Sequence, residues 1–279
     1  MLRVGLVQTT TGLDPEANAR SLAASVERLA RDGASLVFTP EMCGLLDRNP
    51  ARLLARAAEE ADDPALARLR PLARRLGITI AIGSLAIRAT ADRLFNRSFV
   101  IGPDGAILAR YDKIHLFDVD LPDGSRYRES ASFVPGHALA LAETPVARLG
   151  LAICYDVRFP AMHRALAEAG AEILAVPAAF TVPTGEAHWH VLLRARAIET
   201  GCFVVAAAQT GRHEDGRETF GHSLVVDPWG RVCLDMGTTP GEATADLDLA
   251  LVADTRARIP SLAHARPLPA VAGPGRAAA

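Results

Sequence analysis

ASLVFTPE, residues 34–41, decides the architecture. It is an apolar run of strand length that breaks at Thr39–Pro40 and leaves a carboxylate, Glu41, at its end. Upstream, residues 15–30 carry Leu22, Val26 and Leu29 at helical spacing, with Asp14 placed to cap the first turn and Gly33 to stop the last. Downstream, residues 50–76 are rich in Ala, Leu and Arg and read as helical, closed by Gly77. ITIAIGSLAI (78–87) is the next strand, and Leu2–Val7 begins the series. Strands alternating with helices in this way predict an α/β protein.

The middle of the chain changes pattern. Residues 98–101, the turn GPDG and residues 106–111 form a hairpin, and VVDPWGRVCLD (225–235) repeats strand, Pro-x-Gly turn, strand. Between them the periodicity predicts a strand over 147–154, a helix over 158–170, a strand over 173–179, a helix over 185–200 and a strand over 202–209. One hairpin in each half suits two mixed sheets that meet face to face, with the helices outside. No linker-like shift in composition interrupts residues 1 to about 250, so a single domain is expected. From Pro260 the chain is rich in Ala, Pro, Gly and Arg, and the segment 268–279 is expected to be a flexible tail.

Composition narrows the classes. The 279 residues hold 30 Lys+Arg against 32 Asp+Glu, a net charge of -2 that supplies neither a basic footprint for nucleic acid nor a cationic face for a membrane. With 49% hydrophobic residues, global disorder is excluded. The longest uncharged runs are thirteen residues, such as Ile173 to Gly185 with two prolines inside, too short to span a bilayer. MLRVGLVQTTTG reads directly as a strand rather than a secretory leader, so a cytoplasmic protein is expected. The four cysteines (Cys43, Cys154, Cys202, Cys233) form no CxxC pair, which predicts small buried hydrophobes or a reactive thiolate rather than a zinc knuckle or disulfides. The eight histidines show no HExxH and no convergent ligand spacing, and His188 and His190, two apart on a helix, face different ways. GRHEDGRETFGH (211–222) reads as a solvated polar loop whose start could rim a site. No phosphate loop or dinucleotide fingerprint is present.

Three residues follow apolar strands without a packing reason: Glu41, Lys113 at the end of ARYDK, and Cys154 at the end of ARLGLAIC. Strand ends of α/β sheets are where loops converge on ligands. An ammonium and the start of the helix near Phe159 would favour the Cys154 thiolate. Glu41 could accept the thiol proton, deliver it to a leaving nitrogen and later activate water. Lys113 and the backbone N–H of Tyr155 could hold the oxyanion. Taken singly, each of these residues has an ordinary structural reading. Arg158 is in the same position: its guanidinium suits either a substrate carboxylate or a surface salt bridge.

The segments FTPEM, RYDKIHLFDVD and LAICYDVRFP occur in an order and spacing that resemble the three signature segments of the nitrilase superfamily, the carbon–nitrogen hydrolases. YRESASFVPG, GEAHWHVLLRARAIETGCFVVAAAQTG, GHSLVVDPWG and LDLALVADTRARIPSLAHARP extend the resemblance over residues 1–267, toward the branch that takes deaminated glutathione and ω-amides. The resemblance implies a four-layer αββα sandwich, a thioester intermediate, and no metal or organic cofactor. It implies that Cys154 is the nucleophile, Glu41 the general base and Lys113 the oxyanion-stabilising residue. Glu129 would then hydrogen-bond Lys113 and help to place the substrate amide. Tyr127, Tyr155, Arg158, Phe180, Thr181 and Thr184 are expected along the substrate, and Cys43 is expected to pack. The loop TPEMCGLLDRN departs from the pattern after its glutamate and is expected to reshape one wall. The implied activity is hydrolysis of a small carboxylate-bearing amide to a carboxylate and ammonia, by a homodimer or higher oligomer. An ω-amidase, N-carbamoyl or nitrile hydrolysis, acyl transfer to an amine at the same site and a catalytically silent scaffold are the alternatives.

Overall fold

The computed structural model describes residues 1–121 and 124–269, so the expected tail from residue 270 onward lies outside the described residues. The first half runs β1 (Leu2–Gln8), α1 (Pro15–Arg31), β2 (Leu36–Phe38), α2 (Pro50–Arg56), α3 (Pro64–Leu76), β3 (Thr79–Arg88), β4 (Leu94–Ile101) and β5 (Ile107–Asp112). A short hairpin, β6 (Asp118–Asp120) and β7 (Arg126–Arg128), leads into the second half. That half begins with β8 (Leu141–Glu143), β9 (Arg148–Leu151), α4 (Pro160–Glu168), β10 (Ile173–Ala175), α5 (Val182–Thr200) and β11 (Phe203–Ala206). It ends with β12 (Thr210–Arg212), β13 (Glu218–Phe220), β14 (Leu224–Val226), β15 (Val232–Asp235), β16 (Gly241–Leu247) and α6 (Ala250–Arg258).

Two six-stranded mixed sheets result, ordered β16-β1-β2-β3-β4-β5 and β15-β14-β11-β10-β9-β8. Side-chain alternation along the strands explains why they stack. Val4, Leu6, Leu36, Phe38, Ala81 and Val100 join the core shared with the second sheet. Their neighbours Val7, Val37, Ile80, Ile82, Phe99 and Ile101 turn the other way, into the core under α1 and α3. Apolar residues on both faces of one sheet require covering layers on both sides, and the four-layer αββα arrangement follows. The two sheets are also joined near the strand ends, where Ser223 N–H donates to Gln8 Oε1 and Gln209 meets Thr9 and Thr11.

Several local expectations are corrected. The helical stretch expected over 50–76 divides into two helices, because Ala58 bridges to Ile87 and Asp63 caps α3 through the N–H groups of Ala65 and Leu66. The strand expected over 147–154 ends at Leu151, and α5 starts three residues earlier than expected, at Val182. The segment 211–222 is a hairpin rather than a solvated loop, with His213 and Asp215 buried.

Candidate active site

Cys154 is carried by a sharp elbow rather than by a strand. Its φ is +51°, a left-handed conformation that side chains other than Gly rarely adopt, and it opens a single 3₁₀ turn over Cys154–Arg158. Buried Asp156 holds that bend from four sides. It accepts from Ile153 N–H at 2.9 Å, Tyr111 O–H at 2.7 Å and His115 N–H at 3.1 Å, and it pairs with His115 Nδ1 at 2.7 Å. Helix α4 starts separately at Pro160, so its N-terminus is not the turn that carries the sulfur. Glu41 lies in the facing loop after β2, beside Met42, which is likewise left-handed at φ +54°. The two loops approach so closely that Gly83 admits no Cβ. A methyl there would sit 2.1 Å from Thr39 O and 2.5 Å from Pro177 Cβ, and Pro177 O accepts the Cys154 N–H at 2.8 Å.

Lys113 Nζ sits between two carboxylates, 2.9 Å from Glu41 Oε1 and 2.9 Å from Glu129 Oε2. Asn96 Nδ2 bridges the same pair, donating to Glu41 Oε1 at 2.9 Å and Glu129 Oε1 at 3.1 Å. Ala179 N–H donates to Glu41 Oε2 at 2.8 Å, and Phe117 N–H donates to Glu129 Oε2 at 2.7 Å. The backbone carbonyl of Glu41 accepts from Gln209 Nε2 at 2.9 Å. Asp156 and Gln209 lie inside segments that carry the resemblance, LAICYDVRFP and the one ending AAAQTG, but are not singled out there, and Asn96 lies outside all of them. Asn96 Oδ1 is buried with no protein partner.

The electrostatics correct the expectation of a resting thiolate. Burial, then the Glu41 charge, push the Cys154 thiol well above its ordinary value, and the opposing Lys113 charge does not reverse that direction. The buried cluster already sets two carboxylates against one ammonium, so an ionised sulfur would add a third negative charge. Burial also acts to neutralise Glu41. The Lys113 charge and the hydrogen bonds from Cys154, Lys113 and Asn96 outweigh it and hold Glu41 below its ordinary value. Burial likewise opposes the Lys113 charge, but Glu129 and Glu41 together hold its pKa well above the ordinary one. Both directions favour a neutral thiol beside an ionised base.

All ten residues expected at the site line one cavity of about 900 Å³. Phe117, Tyr127 and Tyr155 form an aromatic wall, with the Tyr155 ring 5.1 Å from Phe117 and the Tyr127 ring 5.2 Å from it. Arg158 lies over the Tyr155 and Phe180 rings at 5.8 and 5.5 Å and meets His188 Nδ1 at 3.3 Å. Among the described residues no carboxylate lies in ion-pair reach of it. Thr181 and Thr184 share a hydrogen bond of 2.8 Å at the start of α5. The loop after Glu41 lines the cavity with Leu46 and Arg48, beside residues 216–219 of the β12–β13 hairpin, where the Arg48 N–H donates to Asp215 Oδ2 at 2.8 Å. Cys43 packs as expected, beside the Thr39 hydroxyl and the Ser84 carbonyl. The histidine reading is corrected as well: His190 and His222 converge with Asp235, three residues far apart in sequence whose ligand atoms all lie within 4.8 Å.

Comparison with known proteins agrees with this geometry. The carbon–nitrogen hydrolase profile matches residues 3–257. A deaminated glutathione amidase from Yersinia enterocolitica is 42% identical over 94% of this chain and 92% of its own length. The crystal structure of the Caenorhabditis elegans NitFhit protein superposes with a TM-score of 0.88 at 38% identity, over 95% of this chain and 65% of that one. An amidase from Nesterenkonia superposes with a TM-score of 0.77 at 32% identity, over 92% of this chain and 94% of that one. Fold, motif order and these matches agree, and the chain belongs to the carbon-nitrogen hydrolase family, enzymes acting on carbon–nitrogen bonds other than peptide bonds.

Proposed function

We propose that the protein is a cysteine-dependent amidase for a 2-oxo acid amide of the deaminated glutathione type. Cys154 is its nucleophile, Glu41 its general base and acid, and Lys113 the cation at the oxyanion. The observation that carries this reading is the buried Glu41–Lys113–Glu129 cluster facing the Cys154 elbow in one cavity. The substrate carbonyl enters beside the sulfur. As the S–C bond forms, the thiol proton passes to Glu41, so the thiolate never accumulates. The negative charge that develops on the carbonyl oxygen is held by Lys113 and by the N–H of Tyr155. Glu129 and Asn96 fix the position of Lys113. Glu41 then delivers its proton to the nitrogen as the C–N bond breaks, leaving a thioester on Cys154. Water attacks that thioester, giving one proton to Glu41, which returns it to the departing sulfur. The balance is amide plus water to carboxylate plus amine. The amine is ammonia for a primary amide and cysteinylglycine for deaminated glutathione.

Arg158 is the receptor for the substrate's carboxylate, because its guanidinium lines the cavity and among the described residues is paired with no acid. The cavity is near the upper end of ordinary small-molecule sites, large enough for a tripeptide-sized acyl and leaving group. Tyr127, Phe180, Thr181 and Thr184 line the rest of it. Residues 1–267 act as one domain, in the cytoplasm. No helix among the described residues is long and apolar enough to cross a membrane. The chain works as a homodimer, for which exposed Val191 and Ile198 on α5, with nearby Trp229 and Ile259, offer an apolar face.

The test is product formation from deaminated glutathione, 2-oxoglutaramate and succinamate, followed by mass spectrometry with and without an added amine. The expected result is 2-oxo acid plus free amine, fastest with deaminated glutathione. Turnover by a folded Cys154→Ala variant, or products carrying the added amine, would overturn the reading.

A further inference from the structure

Among the described residues, three other than glycine adopt the left-handed conformation: Met42, Cys154 and His222. The first two shape the catalytic loops. Such strain persists where the surroundings enforce it, and it gathers at functional positions. His222 has no part in the hydrolytic chemistry, yet its backbone is held as firmly. Its N–H donates to Gly237 O at 2.6 Å and its carbonyl accepts from Trp189 Nε1 at 2.8 Å.

This enforced backbone aims the His222 imidazole at Asp235. Nδ1 lies 2.9 Å from Asp235 Oδ1, and His190 Nε2, from α5, lies 2.9 Å from Asp235 Oδ2. The two rings are 5.1 Å apart, and Phe220 stacks on His222 at 4.4 Å. The carboxylate is itself oriented, since Gly237 N–H donates to Oδ1 at 2.9 Å. All three ligand atoms lie within 4.8 Å of one another, with the two histidines half-buried and Asp235 exposed.

We propose that His190 Nε2, His222 Nδ1 and the Asp235 carboxylate form a site for a divalent transition-metal ion of the zinc class. Two imidazoles and one carboxylate are a donor set that zinc takes with a fourth position left to water, and that calcium and magnesium do not favour. A tetrahedral ion about 2.0–2.1 Å from each donor needs donor separations of roughly 3.3 Å, close to the His–Asp separations already present. The remaining adjustment is a closure between the two imidazole nitrogens, which lie within 4.8 Å of one another and must approach to about 3.3 Å. Binding exchanges two His–Asp hydrogen bonds for metal bonds. Each neutral imidazole keeps its proton by moving it to the other ring nitrogen, Nδ1 of His190 and Nε2 of His222.

The consequence is mechanical. His190 belongs to α5, His222 precedes β14 and Asp235 ends β15, so the ion fastens a helix to a hairpin. Phe220 packs against Gly185 of α5, where an added Cβ would sit 2.1 Å from the ring, and Thr219 beside it lines the substrate cavity. An ion at this cluster stiffens the cavity wall from behind without touching the reacting sulfur.

The test uses the full chain carrying Cys154→Ala and Cys233→Ser, which removes the cavity thiol and the exposed thiol as competing ligands. Calorimetric titration with Zn²⁺ should give one equivalent bound with no competition from Mg²⁺, and Co²⁺ should give the intense visible absorption of a tetrahedral complex. His222→Gln and Asp235→Asn should each weaken Zn²⁺ binding by about tenfold or more. His190→Gln, on the outer side of the cluster, repeats the measurement should either of those variants fail to fold by circular dichroism. No saturable Zn²⁺ binding up to millimolar concentration would overturn the proposal. So would binding that these substitutions leave unchanged.

Discussion

Cys154 and Cys43 are both buried free thiols on loops that follow sheet strands, and burial raises the pKa of both. Cys43, pushed up to about 12 chiefly by burial, has the Thr39 hydroxyl and the Ser84 carbonyl as its hydrogen-bond partners, and among the described residues no carboxylate is hydrogen-bonded to it. Cys154 has Glu41, an ionised carboxylate held below its ordinary value by Lys113 and by hydrogen bonds. The difference is therefore not acidity but the presence of a base beside the sulfur in the same cavity. A cysteine can be a nucleophile without being a resting thiolate, provided that its proton has somewhere to go when the carbonyl arrives.

The comparison breaks most sharply under substitution of the two thiols. Cys154→Ala should lower kcat by about 10⁴-fold or more, measured as 2-oxo acid released from deaminated glutathione. Cys43→Ala should stay within a few-fold of the parent, with a stability loss of about 1 kcal/mol in urea. Glu41→Gln comes next. It keeps most of the hydrogen-bonding shape but removes the base, and should cost about 10²–10⁴-fold in kcat.

Lys113→Met sharpens the contrast through stability. It leaves Glu41 and Glu129 buried and facing one another without their shared cation, which should cost about 3–5 kcal/mol in urea denaturation. Arg158→Ala has a smaller and more selective effect. Losing a charged hydrogen bond of about 1.5–3 kcal/mol should raise KM by roughly 10- to 100-fold for carboxylate-bearing amides, and far less for a neutral amide of equal length.

The smallest effect is in stability against pH. Glu41 is lowered from 4.5, so its contribution is present above that pH and is lost as pH falls through its folded value. Cys154 and Lys113 are raised from 9.0 and 10.5, so theirs are present below those values and decline as pH rises past them. Denaturation midpoints should form a plateau between about pH 5 and 9 that Cys154→Ala extends on the alkaline side.

Much of this was legible in the sequence because it rests on local pattern. The apolar run before Glu41, the helical spacing of Leu22, Val26 and Leu29 and the two Pro-x-Gly hairpins follow from side-chain alternation and turn chemistry. The residues flanking Glu41, Lys113 and Cys154 carried the site through resemblance. What could not be read depends on partners distant in the chain. The apolar residues 147–154 read as unbroken strand because nothing local announces that Asp156 will draw in Ile153, Tyr111 and His115 and bend the chain. Asn96 sits within a strand, 55 residues from the carboxylate that it holds. The helical stretch 50–76 divides because Ala58 finds Ile87. The charge state of the sulfur is a sum over burial and two opposed neighbours, and no spacing rule contains that sum.

The central claim is a neutral thiol that surrenders its proton only to Glu41 during attack. It is tested most directly by the ultraviolet absorbance of thiolate, taken as the difference between the parent protein and Cys154→Ala across the pH range. No Cys154 thiolate signal should be present at neutral pH, and the step should come above the ordinary cysteine range. A thiolate step at or below pH 7 in the free enzyme would contradict the account.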